Sequence, residues 1–190
     1  MKLLSDIATM FTGYTLRSKV DNDPGGNCSV IQLKDLNSNY SRLNTSPHKT
    51  MLYDIPAWQL LRKGDILLLS KGSNNKALLY EGQFEVVVAA SAFTIIRIKT
   101  NGIKPEFLTW YINSAKAQEY FNTQRAGTTT LNLSKKAIEE LQIPVPSLEK
   151  QELMMRVALK YEQYKKLIAE YEHNTKLLVD NILTNHLNDE

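Results

Sequence analysis

The residues after Pro146 constrain the fold of this chain more than any other part of its sequence. They contain no Gly and no Pro, and apolar residues recur there at alternating spacings of three and four, the period of a coiled-coil seam. The seam residues are Met154, Val157, Tyr161, Tyr164, Ile168, Tyr171, Thr175, Leu178 and Ile182. A solitary helix would leave this stripe in water, so the pattern predicts a long helix over residues 147–190 that pairs with a partner helix. The alternative is a terminal helix packed on its own domain.

The remaining residues, 1–146, are enough for one globular domain. The chain has 190 residues, 43% of them hydrophobic, which is sufficient for a packed core. Residues 1–147 are net basic and residues 148–190 net acidic. The basic part is compatible with a polyanionic partner.

Composition also restricts the chemistry and the compartment. Cys28 is the only cysteine, and His48, His173 and His186 are far apart in the sequence. We therefore expect no disulfide framework and no metal site. The N-terminus lacks the apolar core of a signal peptide, and the apolar runs are too short to cross a membrane, so we expect a cytoplasmic protein.

Turn and strand patterns predict an α+β fold with a curled, mostly antiparallel sheet and short helices. Ser5–Phe11 is predicted to be a short capped helix that ends at Gly13. The predicted strands are Cys28–Leu33, Ile66–Ser70, Ala77–Tyr80, Phe84–Ala90 and Ser91–Lys99. Residues 34–49 and 71–76 are polar and are predicted to form loops.

Three further helices are predicted between the last strand and the C-terminal helix. Pro105 is placed at the first position of one helix, and Ser114 caps the next. Ser134 caps a third helix over Lys135–Leu141, after which Ile143–Pro146 runs extended into the C-terminal helix, for which Ser147 is the expected cap.

No catalytic motif is present in the sequence. It contains no glycine-rich phosphate loop, no Gly-x-Ser-x-Gly elbow, and no arrangement of Cys and His suited to nucleophilic catalysis. The sequence therefore predicts a non-catalytic protein.

Four stretches of sequence resemble, in this order, the specificity subunit of type I restriction–modification systems at half its usual size. They are Leu4-Ser5-Asp6-Ile7-Ala8 with Gly13; Lys63-Gly64-Asp65-Ile66-Leu67; Pro105-Glu106-Phe107-Leu108 with Ser114 and Gln118; and Gly127-Thr128-Thr129 with Leu133-Ser134, Leu141-Gln142-Ile143-Pro144-Val145-Pro146, Leu148 and Gln151. Each stretch is common by itself, but the four together, followed by a coiled-coil helix, cover essentially the whole chain.

The resemblance implies a domain, residues 1–146, that recognises a half-site of double-stranded DNA, and a helix that spaces it from a second such domain. It further implies a methyltransferase subunit that uses S-adenosylmethionine, a possible motor–nuclease subunit that uses ATP, and no cofactor on this chain. Members of that family usually have two recognition domains and two helices, whereas this sequence has one of each. Either it forms a dimer, or it is a truncated copy or a fragment.

The charges of the C-terminal helix favour an antiparallel homodimer. Residues 148–166 are net basic and residues 167–190 net acidic, so antiparallel pairing sets opposite charges side by side. The residues predicted to lie in this interface are Met154, Val157, Tyr161, Tyr164, Ile168, Tyr171, Leu178 and Ile182. A two-fold dimer is expected to recognise two inverted half-sites separated by a spacer. Leu167 and Val179 widen the apolar stripe, and a further subunit could dock there.

Candidate DNA contacts follow from residue type. Lys71, Asn74, Asn75 and Lys76 lie in a loop suited to the major groove, because Lys pairs with guanine and Asn with adenine. Gly127, Thr128, Thr129 and Thr130 precede a helix start, where small and hydroxyl residues suit a backbone phosphate. Further candidate phosphate contacts are Arg17, Lys19, Arg42, Lys49, Lys135 and Lys136.

Each of these groups has a simpler explanation: a solvated loop, a capped turn, or a solvated basic face. Two other functions also remain open, namely a coiled-coil scaffold that binds protein, and an orphan or silent copy of a specificity gene. Salt-dependent binding to duplex DNA distinguishes the scaffold from the DNA-binding protein.

Overall fold

The structure is a computed structural model that describes residues 1–38, 40, 42–72, 74–125 and 132–187. Contacts within the chain divide it into two compact units, Met1–Leu148 and Glu149–Glu190. The first unit contains the sheets and short helices of the predicted α+β fold. The second consists of most of one long helix.

The N-terminal prediction of a helix over Ser5–Phe11 is wrong. Strand β1 (Lys2–Leu3) leads into a single helical turn, α1 (Leu4–Ile7), and strand β2 (Ala8–Thr12) follows directly. Asp6 closes the turn because its Oδ2 accepts a hydrogen bond from the Leu3 amide at 3.1 Å. From Ala8 onward, buried and exposed side chains alternate, and this half of the segment forms ladder hydrogen bonds in preference to a second helical turn.

Strand β2 belongs to a four-stranded antiparallel sheet in the described part of the chain, in the order β2-β8-β5-β6. The other three strands are β5 (Ile66–Leu69), β6 (Ala77–Leu79) and β8 (Phe93–Ile98). All four residues of β5 are buried, as expected for a central strand that is covered on both faces. The predicted strand that begins at Ile66 is therefore confirmed.

A second sheet has the order β4-β3-β7 and introduces a parallel pair that the sequence did not predict. Its strands are β3 (Cys28–Ile31), β4 (His48–Thr50) and β7 (Val87–Ala89). Strand β3 pairs antiparallel with β4 and parallel with β7. Strands β5 and β6 lie between β3 and β7 in the sequence, but they belong to the other sheet, and β7 runs parallel to β3. The strands are thus divided between separate sheets, whereas the sequence predicted one curled sheet.

Gly13 lies where the two larger sheets meet. Its amide donates to the Phe93 carbonyl, and the Tyr14 amide donates to Ala89, at 2.9 and 2.7 Å. A Cβ atom at Gly13 would lie 2.3 Å from the Ala90 carbonyl oxygen. Glycine is required here because of this close backbone approach, and not because it ends a helix.

The predicted starts of the helices that follow the last predicted strand are confirmed. The helices are α2 (Pro105–Ile112), α3 (Ala115–Arg125), α4 (Lys135–Glu139) and α5 (Leu148–Leu187). Pro105 is at the first position of α2, and the Ser134 hydroxyl accepts from the Ala137 amide at 3.1 Å. Helix α4 ends two residues earlier than predicted because Leu141 turns back to accept a hydrogen bond from Leu4, and β9 (Gln142–Ile143) then pairs with β1.

A buried ion pair holds the turn before β5. Arg97 donates through Nε and Nη2 to the two carboxylate oxygens of Asp65, at 2.8 and 2.6 Å. The same guanidinium donates to the carbonyls of Trp58 and Leu60. Gly64 precedes Asp65 at a φ of 94°, a conformation that glycine adopts without strain. The Gly-Asp motif therefore fixes the start of the central strand.

Candidate nucleic-acid interface

The loop after β5 contacts two residues, Arg125 and Asn132, at Gly72. The Gly72 amide donates to Asn132 Oδ1 at 3.1 Å, and Arg125 Nη1 donates to the Gly72 carbonyl at 3.5 Å. The Leu133 amide also donates to the Ser70 carbonyl at 2.9 Å. Gly127, Thr128, Thr129 and Thr130 lie outside the described residues, but the residues that flank them, Arg125 and Asn132, are thus both tied to the loop after β5.

A cleft of about 240 Å³ opens beside this junction. It contains two lysines, Lys71 and Lys135, with Ser91, Thr94 and Asn132 as polar neighbours. Lys71 Nζ donates to the Ser91 hydroxyl at 3.3 Å. Two ammonium groups beside hydroxyl and amide groups are suited to a polyanionic chain that also presents hydrogen-bonding base edges.

Asn75 is not available for base contacts in this structure. It is 2% exposed, and its Nδ2 donates to the Leu69 carbonyl at 2.9 Å. The backbone carbonyl of Asn75 accepts a hydrogen bond from Gln118 Nε2 at 2.9 Å. Asn75 therefore fixes the shape of the loop, whereas its neighbours Asn74 and Lys76 are half-buried and keep some exposed surface.

The loop rests on α2 and α3 through side-chain amides. Asn113, which follows α2, accepts from the Ala77 amide at 2.9 Å and donates to the Ala77 carbonyl at 2.7 Å, as a neighbouring strand would. Gln118 also donates to the Ile112 carbonyl at 2.8 Å. The Gln118 position of the sequence motif thus supports the loop together with Asn113, whereas the Ser114 hydroxyl accepts from the Ala117 amide within α3.

Helix α4 presents Lys135 and Lys136 to solvent. They form i,i+4 ion pairs with Glu139 and Glu140 at 3.6 and 3.7 Å. Tyr120 of α3 donates to the Ala137 carbonyl at 3.0 Å and holds the two helices together. Burial, and secondarily the charge of Glu140, raise the pKa of Tyr120. Lys135 lines the cleft, and Lys136 does not appear among its lining residues.

Other predicted phosphate contacts lie around a second cleft, of about 490 Å³. Arg17 and Lys19 line it, together with Met51 and the largely exposed Tyr53. Lys19 Nζ lies 3.9 Å from Asp21 Oδ1, and both side chains are almost fully exposed. The cleft is thus bordered by cations and apolar surface.

The last two predicted phosphate contacts lie on neighbouring loop and strand positions. Lys49 directly precedes the lining residue Thr50, and its amide donates a hydrogen bond to Asn22 Oδ1 at 3.2 Å. Arg42 is exposed on a loop that closes on Asn37, whose Oδ1 accepts from the Arg42 amide at 3.2 Å. Arg17 and Lys19 thus line the second cleft, Lys49 is adjacent to it in the sequence, and Arg42 lies on a separate loop.

Arg125 and Asn132 were missed as site residues in the sequence. Arg125 is a basic residue at the end of a helix, and Asn132 resembles a turn residue, so neither position has a distinctive local pattern. Their importance comes from contacts with Gly72, which is more than fifty positions away in the sequence. The shared feature, visible in retrospect, is that both flank the Gly-Thr-Thr-Thr segment.

Helix α5 carries the predicted seam as an exposed stripe. Within the unit Glu149–Glu190, Met154 is half-buried, and the other apolar and aromatic seam residues are exposed; they are Val157, Tyr161, Tyr164, Ile168, Tyr171, Leu178 and Ile182. Other large aliphatic residues of the helix are exposed as well: Leu153, Leu167 and Val179 flank the seam, whereas Leu159, Leu177 and Leu183 lie on other faces of the helix. The stripe formed by the seam and its flanking residues is typical of an interaction site.

Neither a metal centre nor a membrane span is found among the described residues. No group of three or more His, Cys, Asp or Glu side chains there could hold a metal ion. In the same ranges, no helix has the length and apolar character needed to span a bilayer. Cys28 is 1% exposed, and burial raises the pKa of its thiol, as is typical of an unreactive core cysteine.

The fold is similar to that of three solved chains. One comes from a structural study of complex assembly and conformational transition of the type I R-M system: it has 15% identity and a TM-score of 0.68, and the match covers 95% of this chain and 42% of that one. The HsdS subunit from Thermoanaerobacter tengcongensis has 16% identity and a TM-score of 0.58, with coverages of 85% and 36%. The S subunit of the type I restriction–modification system from M. genitalium has 15% identity and a TM-score of 0.56, with coverages of 89% and 41%.

These similarities establish a shared fold, and this chain spans about two fifths of the length of each of the three chains. A comparison with curated proteins gives no match. A family model, described as the type I restriction modification DNA specificity domain, matches residues 1–174. The match includes the whole first unit and more than half of α5, and it confirms the family indicated by the four sequence motifs. The chain therefore belongs to the family of type I restriction–modification DNA specificity domains.

Proposed function

We propose that this chain is a non-catalytic specificity subunit that recognises a half-site of double-stranded DNA. The observation that carries the proposal is the cleft that contains Lys71 and Lys135, beside the contacts of Arg125 and Asn132 with Gly72. Backbone contacts and base contacts require different chemical groups. Both kinds lie at this junction.

In this proposal the lysines position the DNA, and the amides distinguish bases. Lys71 and Lys135 neutralise phosphates, a contribution that does not depend on sequence. Asn74 and Asn132 are the candidate base contacts, because a side-chain amide can pair with the adenine edge in the major groove. Asn75 is excluded from this role by its burial and its bond to Leu69.

The second half-site is assigned to a second copy of the chain, joined through α5 in antiparallel orientation. The support is the exposed seam, together with the opposite net charges of residues 148–166 and 167–190. A two-fold protein is expected to recognise two inverted half-sites. Residues 1–146 are the recognition domain and residues 147–190 the spacer in this proposal.

The family to which the chain belongs suggests its remaining partners. We propose that this chain binds a methyltransferase subunit, which would bring S-adenosylmethionine, and a motor–nuclease subunit, which would bring ATP. This chain would bind neither cofactor itself, and it would act in the cytoplasm, where the DNA is. Copurification with the methyltransferase subunit tests this assignment.

Duplex binding measured across a salt series tests the recognition site. Lys71→Ala is expected to weaken binding evenly across sequences and to reduce the slope of log K against log salt by about 1. Lys63, exposed at the opposite end of β5, provides a matched control, because Lys63→Ala removes the same charge away from the cleft. Equal effects of the two substitutions would contradict the assignment of the cleft. Absence of salt-dependent binding would favour the scaffold function instead.

Selection from random duplexes tests the recognition mode. The wild-type protein, with the methyltransferase subunit present, is expected to return two inverted half-sites separated by a fixed, unselected spacer. Asn74→Ala is expected to change the preferred half-site but not the spacer. A single undivided and asymmetric site for the wild type would count against recognition by a two-fold dimer.

A further inference from the structure

The charged residues beside the seam of α5 differ in a way that can select one helix register. Directly after the seam residues Val157, Tyr164, Tyr171 and Leu178 come the flanking residues Ala158, Lys165, Glu172 and Val179. The two charged members have opposite signs and are one heptad apart. Both lie on a continuous helix, and Lys165 Nζ is 3.3 Å from Glu162 of its own turn.

In an antiparallel pair, the residues of this flank face the same flank of the partner helix. Sliding one helix by a heptad changes which residues meet. In one register Lys165 faces the partner's Lys165, and in another Glu172 faces the partner's Glu172. In the register between them, Lys165 faces the partner's Glu172 and, by symmetry, Glu172 faces the partner's Lys165. This register places opposite charges together twice, whereas each of its neighbours places like charges across the two-fold axis.

The same register gives consistent layers in the seam. It pairs Ile168 with the partner's Tyr171, Tyr161 with the partner's Leu178, and Val157 with the partner's Ile182. Thr175, the polar member of the seam, then meets the partner's Tyr164, whose phenol can bond to the threonine hydroxyl. A polar residue in such a seam is known to specify register.

The flanks of this register contain no clash of charges between residues 154 and 182. Ala158 faces the partner's Val179 on the flank that contains the ion pairs. On the other flank, Leu167 faces the partner's Asn174, and Lys160 faces the partner's Asn181. The exposed aliphatic residues Leu167 and Val179 are therefore partly covered by the second copy.

We propose that α5 pairs with α5 of a second copy in this register, with the two-fold axis between Ala169 and Glu170. The proposal rests on the dimer of the proposed function and adds the residue pairs that define it. It places the two Leu148 positions about 65 Å apart along the helix axis, at about 1.5 Å per residue. The register thereby fixes the separation of the points where the two recognition domains join their helices.

Cross-linking of variants that each carry one introduced cysteine tests the register. Full-length Lys165→Cys and Glu172→Cys are prepared separately and mixed, then treated with a bismaleimide that spans about 10 Å, the interaxial distance of packed helices. A cross-linked dimer is expected in the mixture and not in either variant alone. The wild type is the control, because its Cys28 is 1% exposed.

Each other outcome overturns the proposal in a distinguishable way. Cross-linking of Lys165→Cys alone, or of Glu172→Cys alone, identifies a neighbouring register. A dimeric mass by light scattering without any cross-link contradicts antiparallel pairing in this register. A monomeric mass for the wild type contradicts the dimer of the proposed function itself, whatever the cross-links are.

A charge-reversal series gives an independent measurement. Lys165→Glu should weaken the dimer at least about fivefold, because two attractive pairs become repulsive. Adding Glu172→Lys in the same chain should restore dimer affinity, since both pairs again have opposite signs. If the second substitution does not restore dimer affinity, Lys165 does not face the partner's Glu172, and the register is wrong. Raising the salt concentration should reduce all of these differences.

Discussion

Removing the Asp65 carboxylate is expected to destabilise the first unit strongly. The side chain is 2% exposed and Arg97 is 17% exposed, so solvent screens neither group effectively. Asp65→Ala deletes both acceptors for the guanidinium and also the acceptor for the Arg62 amide, whose bond is 2.8 Å long. Arg97 would retain the carbonyls of Trp58 and Leu60 and the face of the Phe11 ring, none of which carries a negative charge.

The magnitude follows from the cost of an uncompensated buried charge. Breaking a buried ion pair by removing one partner typically costs about 3–5 kcal/mol. For a unit of this size, each kcal/mol lowers the melting temperature by about 2–4 °C, so a decrease of about 10 °C is expected. The double variant Asp65→Ala/Arg97→Met should lose less than the sum of the two single variants, because no charge is then left alone.

Urea unfolding of the full chain, followed by tryptophan fluorescence, measures this loss. Trp58 is a suitable reporter because its carbonyl accepts from Arg97 and its ring lies 5.3 Å from that of Phe11. The matched control is Asp21→Ala, which breaks a highly exposed pair and should cost less than about 0.5 kcal/mol. A loss below about 1 kcal/mol for Asp65→Ala would refute the assignment of Asp65 as the anchor of the turn.

Three further predictions concern the first unit. Gly13→Ala should cost about 1–3 kcal/mol in the same assay, because its Cβ would overlap a backbone carbonyl; a neutral effect would show that the sheets can separate. Asn113→Ala should cost about 1–3 kcal/mol by leaving both polar groups of a strand residue unpaired. Burial raises the pKa values of Tyr80, Tyr111 and Tyr120 above the ordinary 10.0. The unfolded chain therefore loses these protons first, so stability should fall as the pH rises above about 10, and a flat alkaline profile would contradict this.

Local patterns were sufficient where a segment's own residues determine its structure. The apolar run that begins at Ile66 gave the central strand, and Pro105 and Ser134 gave helix starts. The segment Ser5–Phe11 failed because pairing with β8 outweighs helix propensity there. The parallel pairing of β3 with β7 could not be predicted locally, since it depends on the path of the intervening strands.

The candidate site shows the same distinction. Lys71 and Lys135 were identified by residue type, but their common cleft arises from contacts between residues that are distant in the sequence. Asn74 and Asn75 look equivalent in the sequence, and only the fold shows that Asn75 is buried. Arg125 and Asn132 became visible through their bonds to Gly72.

The amide of Asn113 has a consequence for how copies of this protein associate. Strand β6 lies at an edge of the four-stranded sheet, where free backbone groups would otherwise accept a foreign strand and lead to aggregation. By bonding to both the amide and the carbonyl of Ala77, Asn113 occupies that edge with a side chain that cannot be extended into a further strand. Self-association by sheet extension is thereby blocked at this position, and the exposed face of α5 is left as a surface through which copies can meet.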